Sequence, residues 1–121
     1  MINWNNLDTL ASFKELKDTK AVDLVSAMSG ESGADRVKSF NIPMAEGLNY
    51  NYAAKQVDSD VLDKLVKLAD EAQLADKFAA LYNGEVVNTG EKRLVLHHMT
   101  RGQLGEAVEA DGVDKRTGTY R

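Results

Sequence analysis

Apolar residues step along the start of the chain in threes. Leu7, Leu10, Phe13 and Leu16 follow Asn5-Asn6, with Lys14, Glu15 and Lys17 on the other faces. This spacing lines one side of a helix and predicts a first amphipathic helix here. Thr19 stands where it would cap a second, in which Val22, Leu24, Val25 and Met28 form an apolar stripe that Ser29-Gly30 ends. Gly30, Ser32 and Gly33 predict a loop, and Ala34-Asp35-Arg36-Val37 predicts one more helical turn after it.

At Phe40 the period changes from helical to two. Phe40, Ile42 and Met44 alternate with Ser39, Asn41 and Pro43, and Leu48, Tyr50 and Tyr52 alternate with Gly47, Asn49 and Asn51. Each run sends its larger apolar groups to one face, and Ala45-Glu46-Gly47 would turn one strand into the other as an antiparallel hairpin. Pro43 has no amide to donate, which places the first strand at an edge. A lone two-stranded hairpin is marginal in water, so helices are expected to pack on it.

Asp58 or Ser59 opens the strongest helical pattern. Val61, Leu62, Leu65, Val66, Leu68, Ala69 and Ala72 make a broad stripe, and Asp60 with Lys64 and Asp63 with Lys67 put acid before base at four-residue spacing. Such pairs contribute only about 0.2–0.5 kcal/mol each, whereas burying one leucine contributes about 1.5–3 kcal/mol, so this helix depends on a partner surface. Leu74, Phe78, Leu81 and Tyr82 continue as a shorter helix that Asn83-Gly84 stops. Asn88, three residues before Glu91, predicts the capping box of a further helix begun by Leu94, Val95, Leu96 and Met99. Beyond Arg101, Gly102, Gly105, Gly112 and Gly118 punctuate a polar tail without a sustained period, and the chain has no internal repeat.

Composition narrows the function classes. The 121 residues, 43% of them hydrophobic, are enough for one domain. With no cysteine, disulfides and thiolate metal or redox chemistry are excluded. A net charge of −4 offers no basic field for nucleic acid. The opening Met-Ile-Asn-Trp-Asn-Asn is not a secretory signal, and no apolar run approaches the roughly 20 residues of a membrane span. A soluble, cytoplasmic protein that binds neither nucleic acid nor membrane is expected.

Candidate chemistry is sparse. His97 and His98 are adjacent, so on a helix they project about 100° apart, and no carboxylate or third histidine stands at a chelating offset. A buried, hydrogen-bonded His97 is the preferred reading over a metal ligand. Arg93 and His97, four apart, would share a helix face with Glu91 and Arg101 near its ends, either as a polar site or as a structural network tying the helix to a neighbouring domain; the structural reading is preferred. Asp58, Asp60 and Asp63 imitate the start of a calcium loop, but Asp63 occupies the glycine position, and acids in a helix's first turn account for them. The tail glycines form no phosphate-binding loop, and Ser12, Ser26 and Ser29 have no base at motif spacing.

The stretch from Tyr82 to Arg101 resembles the N-terminal part of the glucose-6-phosphate isomerase family. Asn83, Gly84, Glu85, Asn88, Glu91, Arg93, Val95, Leu96, His97 and Arg101 carry the likeness, while Gly90, Leu94 and Met99 depart from it. A strand ending at Tyr52 followed by an acid-capped helix extends it back to about Phe40. The resemblance implies interconversion of glucose 6-phosphate and fructose 6-phosphate through a cis-enediol, in glycolysis and gluconeogenesis. It also implies no metal or organic cofactor and a homodimer whose partner supplies a catalytic histidine. The family's ring-opening group, proton-transferring carboxylate and Ser/Thr-rich phosphate loop lie downstream of the matched part. No residue of this chain is therefore assigned a catalytic, cofactor-binding or metal role.

The resulting expectation is a mainly α piece with one short antiparallel hairpin, from the N-terminal part of a larger two-domain α/β enzyme. Residues 1–38 would form N-terminal helices, 39–57 the hairpin, 58–101 the helical segment with the family-like motif, and 102–121 an irregular tail leading to a missing α/β domain. A last residue, Arg121, after which trypsin cuts suits a proteolytic or designed fragment, inactive alone. The alternative is a stand-alone helical module that docks through the Val61 to Ala72 stripe.

Overall fold

Helices dominate the chain and its strands are short and antiparallel. The computed structural model describes residues 1–101, 109–110 and 113–114, which fall into two units, Leu10–Leu68 and Met1–Thr9 with Ala69–Arg121.

In the first unit, α1 (Ala11–Lys17) starts later than the apolar spacing suggested. Leu7–Thr9 is a separate 3-10 turn, closed by the Thr9 amide and hydroxyl both donating to the Asn6 carbonyl (3.2 and 2.7 Å), and Leu10 is extended. Steps of three match the three-residue turn of a 3-10 helix as well as they match one face of an α-helix. Thr19 does not cap a second helix; its hydroxyl donates back to the Glu15 carbonyl at 2.8 Å. Asp23 caps the single-turn α2 (Leu24–Ala27), accepting from the amides of Val25 and Ser26 at 3.0 and 3.3 Å.

The expected glycine loop is instead the first turn of α3 (Gly30–Ser39). Gly30 takes a φ of +61°, which reverses the chain out of α2. Gly33 lies against the Met28 backbone so closely that a Cβ there would collide with it. These glycines permit close approach of two helices; they do not interrupt one.

The first hairpin stands as the alternation predicts. β1 (Asn41–Pro43) and β2 (Asn49–Asn51) pair antiparallel with Ile42 opposite Tyr50, a 3-10 turn at Ala45–Gly47 joins them, and the Met44 amide donates to the Leu48 carbonyl at 2.7 Å. Phe40 and Tyr52 stack with centroids 5.0 Å apart.

Asp58 then caps α4 (Ser59–Glu71), its Oδ1 accepting from the Val61 amide at 2.9 Å. Lys64 meets Asp60 at 2.7 Å, but Lys67 reaches Glu15 on α1 rather than Asp63, with both carboxylate oxygens within 2.9 Å.

In the second unit, Gln73 turns the chain through a left-handed conformation (φ +53°) into α5 (Leu74–Tyr82), and its Oε1 accepts the Asn3 amide at 2.7 Å. The Lys77 ammonium lies 5.6 Å from the centre of the Trp4 ring. Gly84, at φ +76°, donates to Leu81 and Glu85 donates to Ala80, the paired bonds of a Schellman stop.

The helix expected after Asn88 does not form. β3 (Val86–Asn88) and β4 (Arg93–Leu94) make a second antiparallel pair, and only a 3-10 segment at His97–Arg101 follows. Asn88 and Glu91 do exchange hydrogen bonds, amide to Oδ1 at 3.2 Å and Nδ2 to Oε2 at 3.3 Å, but these close a chain reversal. Lys92 at φ +54° could not continue a helix, and Val86-Val87 favours an extended entry. A third pair, β5 (Glu109–Ala110) with β6 (Val113–Asp114), lies in the tail, whose other residues are outside the described ones. Among the described residues, three strand pairs thus stand where one was expected.

Burial is slight. Ala53 is the only buried apolar residue of Leu10–Leu68, and Ala72, Ala80 and Met99 are buried among the described residues of the other unit. Within α4 the stripe has no buried residue, and only Ala72, just past its end, is covered; Leu65 is 39% and Val66 60% exposed.

Candidate functional site

Polar side chains in the first unit are engaged in holding the backbone. Arg36, on α3 and 9% exposed, donates from Nε to the Ala53 carbonyl (2.7 Å) and from Nη2 to those of Lys55 and Val57 (2.9 and 2.6 Å). Its guanidinium also lies 4.1 Å from the centre of the Phe40 ring, one helical turn on. A planar fork with several fixed donors suits a run of carbonyls better than an ammonium would. The segment from Ala53 to Val57 is thereby fixed beside α3.

That fixed segment forms one wall of an apolar groove of about 200 Å³. Ile42, Tyr50 and Tyr52 come from the hairpin, Lys55 and Val57 from the clasped segment, and Leu62 and Leu65 from α4.

A second, polar trough of about 520 Å³ includes Asp18, Lys20, Asp23, Asp58, Asp60 and Lys64. Asp23, Asp58 and Asp60 are committed to the caps and the ion pair above. The Ser26 hydroxyl, donating to Asp23 Oδ2 at 2.8 Å, is the first cause holding the Asp23 carboxyl below its ordinary value, and the Ser26 and Val25 amides add to it. Asp58 and Asp60 thus act at a helix start, and Asp63 lies on α4 within the same turn sequence rather than in a calcium loop.

The serines are likewise local. Ser26 binds Asp23, Ser29 donates to the Val25 carbonyl, and Ser12 is buried. No group of three or more His, Cys, Asp or Glu residues that could hold a metal ion occurs among the described residues.

In the second unit, Arg93 and His97 do not share a helix face, because Arg93 is on β4 and His97 on the 3-10 segment. Arg93 makes a loose, exposed ion pair with Glu91 at 3.8 Å, and His97 is exposed. The Arg101 side chain lies outside the described residues. The histidine drawn inward is His98: its ring stacks on Tyr82 at 5.0 Å, and its Nε2 is 3.1 Å from the Tyr82 carbonyl. A carbonyl only accepts, so Nε2 is the donor in this contact, while Nδ1 is buried without a hydrogen-bond partner. His98 thus locks the motif segment to the end of α5.

Sequence reasoning passed over Arg36 and Asp23, and of the two adjacent histidines it took His97 rather than His98 as the buried, hydrogen-bonded one. Asp23 carried a readable signal, an acid three residues before Ser26 at a helix start. Arg36 offered only Phe40 four residues on, and His98 only its neighbour.

Comparison with known proteins bears on the same region. The family model described as phosphoglucose isomerase matches residues 51–119, which include the clasped segment, α4, α5 and the Asn83 to Arg101 motif. The glucose-6-phosphate isomerase of Treponema denticola is 40% identical over 121 residues, covering 96% of this chain and 23% of that protein. That of Borrelia garinii is 40% identical over 112 residues (92% and 20%), and that of Pseudomonas aeruginosa is 39% identical over 87 (72% and 16%). The chain spans less than a quarter of the length of these curated relatives.

Proposed function

The chain belongs to the phosphoglucose isomerase family, and from that membership we propose that it is the N-terminal part of a longer glucose-6-phosphate isomerase. The longer protein is a two-domain α/β enzyme that interconverts glucose 6-phosphate and fructose 6-phosphate in the cytoplasm, as a homodimer, without metal or organic cofactor. The observation that carries the reading is identity of 40% across 96% of the chain, set against coverage of only 23% of the relative.

On this reading the chemistry falls to the rest of the polypeptide. Aldose–ketose isomerisation needs an acid or base for ring opening, a carboxylate to carry a proton between C2 and C1, donors for the enediolate and a phosphate-binding loop. Among the described residues, the polar groups most tightly held are engaged otherwise: Arg36 with three carbonyls, Asp23 and Asp58 with helix amides, and His98 with the Tyr82 carbonyl. Its part is to build a wall of the enzyme.

A coupled assay tests this. The full reading frame containing the chain, expressed and treated with a chelator, should convert fructose 6-phosphate to glucose 6-phosphate, followed as NADPH formed by glucose-6-phosphate dehydrogenase. The 121-residue chain at equal concentration should form none. Turnover by the isolated chain, or an inactive full-length protein, overturns the reading.

A further inference from the structure

We propose that the apolar groove between the β1–β2 hairpin and α4 is the seat of an apolar segment from the rest of the same polypeptide, an inference that rests on the isomerase reading above. Ile42 and Tyr50, 53% and 48% exposed, and Leu65 open this groove to solvent, while Tyr52, Val57 and Leu62 floor it. A cavity of about 150 Å³ takes a benzene ring, so the roughly 200 Å³ here admits one large aliphatic or aromatic side chain. One wall is rigid before anything binds, because Arg36 holds the carbonyls of Ala53, Lys55 and Val57. Preorganisation of this kind lowers the ordering cost of docking.

Three considerations choose the occupant. The unit Leu10–Leu68 buries a single apolar residue, Ala53, which is too little for a self-sufficient core, so its cover is part of the folded state rather than a passing partner. The relatives are more than four times as long as the matched stretch, and the polypeptide outside it is large enough to supply that cover. A second copy of this chain fits poorly. A two-fold contact centred on the groove sets it against its own image, and a groove facing a groove fills neither.

The absence of cysteine from this chain makes thiol labelling a clean test. Ile42→Cys, Leu65→Cys and, in case either fails to fold, Tyr50→Cys are prepared in the full-length protein, and each is labelled both native and unfolded in urea. Maleimide modification of each introduced thiol is timed by peptide mass spectrometry, and isomerase activity is measured on the same full-length samples. The expected result is labelling slowed about tenfold or more in the active native protein relative to the same protein in urea, because only the locally opened fraction reacts. The slowing should not change when the protein is diluted until it is monomeric. Native labelling close to the unfolded rate, as half-exposed side chains of an open groove would give, overturns the inference while leaving the isomerase reading intact. Protection lost on dilution overturns it in favour of a second copy, and an inactive full-length protein overturns both.

Discussion

Arg36 fixes backbone, and its removal should be felt as lost stability. The side chain is 9% exposed and donates to three carbonyls at 2.7, 2.9 and 2.6 Å; Arg36→Ala would remove these bonds, and of the three acceptors Lys55 keeps the Val57 amide at 2.8 Å. Hydrogen bonds to a charged group contribute about 1.5–3 kcal/mol, and in a large domain about 1 kcal/mol moves the melting temperature by about 2–4 °C. Arg36→Ala in the full-length protein should therefore lower the melting temperature by several degrees. Arg36→Lys should recover little of it, since one ammonium cannot span three acceptors. Thermal unfolding of the full-length variant within a degree of its parent would show that the clasp is not stabilising. Arg93 is the contrast: its ion pair with Glu91 is long and both side chains are largely exposed, the kind worth about 0–1 kcal/mol. Sequence drew attention to Arg93 because its neighbours carry a recognisable spacing. It could not reveal Arg36, because the acceptors are main-chain oxygens that every residue possesses.

Elements were legible where a single period dominated. The two-residue alternation from Phe40 to Tyr52 placed β1, β2 and their turn, and the broad stripe placed α4 to within a residue of its start. Ambiguity arose where one local device serves several structures. A reciprocal bond between an Asn and a Glu three residues on can open a helix or close a reversal, and at Asn88 and Glu91 it closes one. Glycine has the same double meaning at the start of α3. Gly33→Ala would gain helix propensity of about 1 kcal/mol but drive a methyl group into the Met28 carbonyl, and overpacking of this kind costs about 1–3 kcal/mol. Because the neighbour is backbone, it cannot swing aside, and the expected net effect is destabilisation with loss of the α2–α3 fit. Gly90→Ala is the control, its nearest neighbour being the Asn88 side chain at 3.7 Å. Urea midpoints of the two variants decide the matter, and equal midpoints would refute the close-approach role.

At the scale of the molecule, the family was legible and the core was not. Ten spaced identities between Asn83 and Arg101 pointed to the phosphoglucose isomerases, a family that the match over residues 51–119 bears out. Apolar stripes say which face wants cover without saying what covers it, so nothing in the periodicity foretold that α4 would keep Val66 60% exposed or α5 keep Phe78 64% exposed. The association of Met1–Thr9 with the residues from Ala69 onward was equally invisible, since no local pattern links Asn3 to Gln73. That link has a consequence in time. A ribosome delivers Trp4 long before Gln73 and Lys77, so the first nine residues must wait for their partners while the intervening stretch forms its short-range turns. Closing so long a loop is entropically slower than winding a helix. Trp4 is the chain's single tryptophan, and its fluorescence is a clock for that last event. In stopped-flow refolding of the full-length protein, with any other tryptophan replaced, its change should lag the far-ultraviolet circular dichroism signal of the helices; coincident traces would mean that the N-terminus is gathered in at the outset.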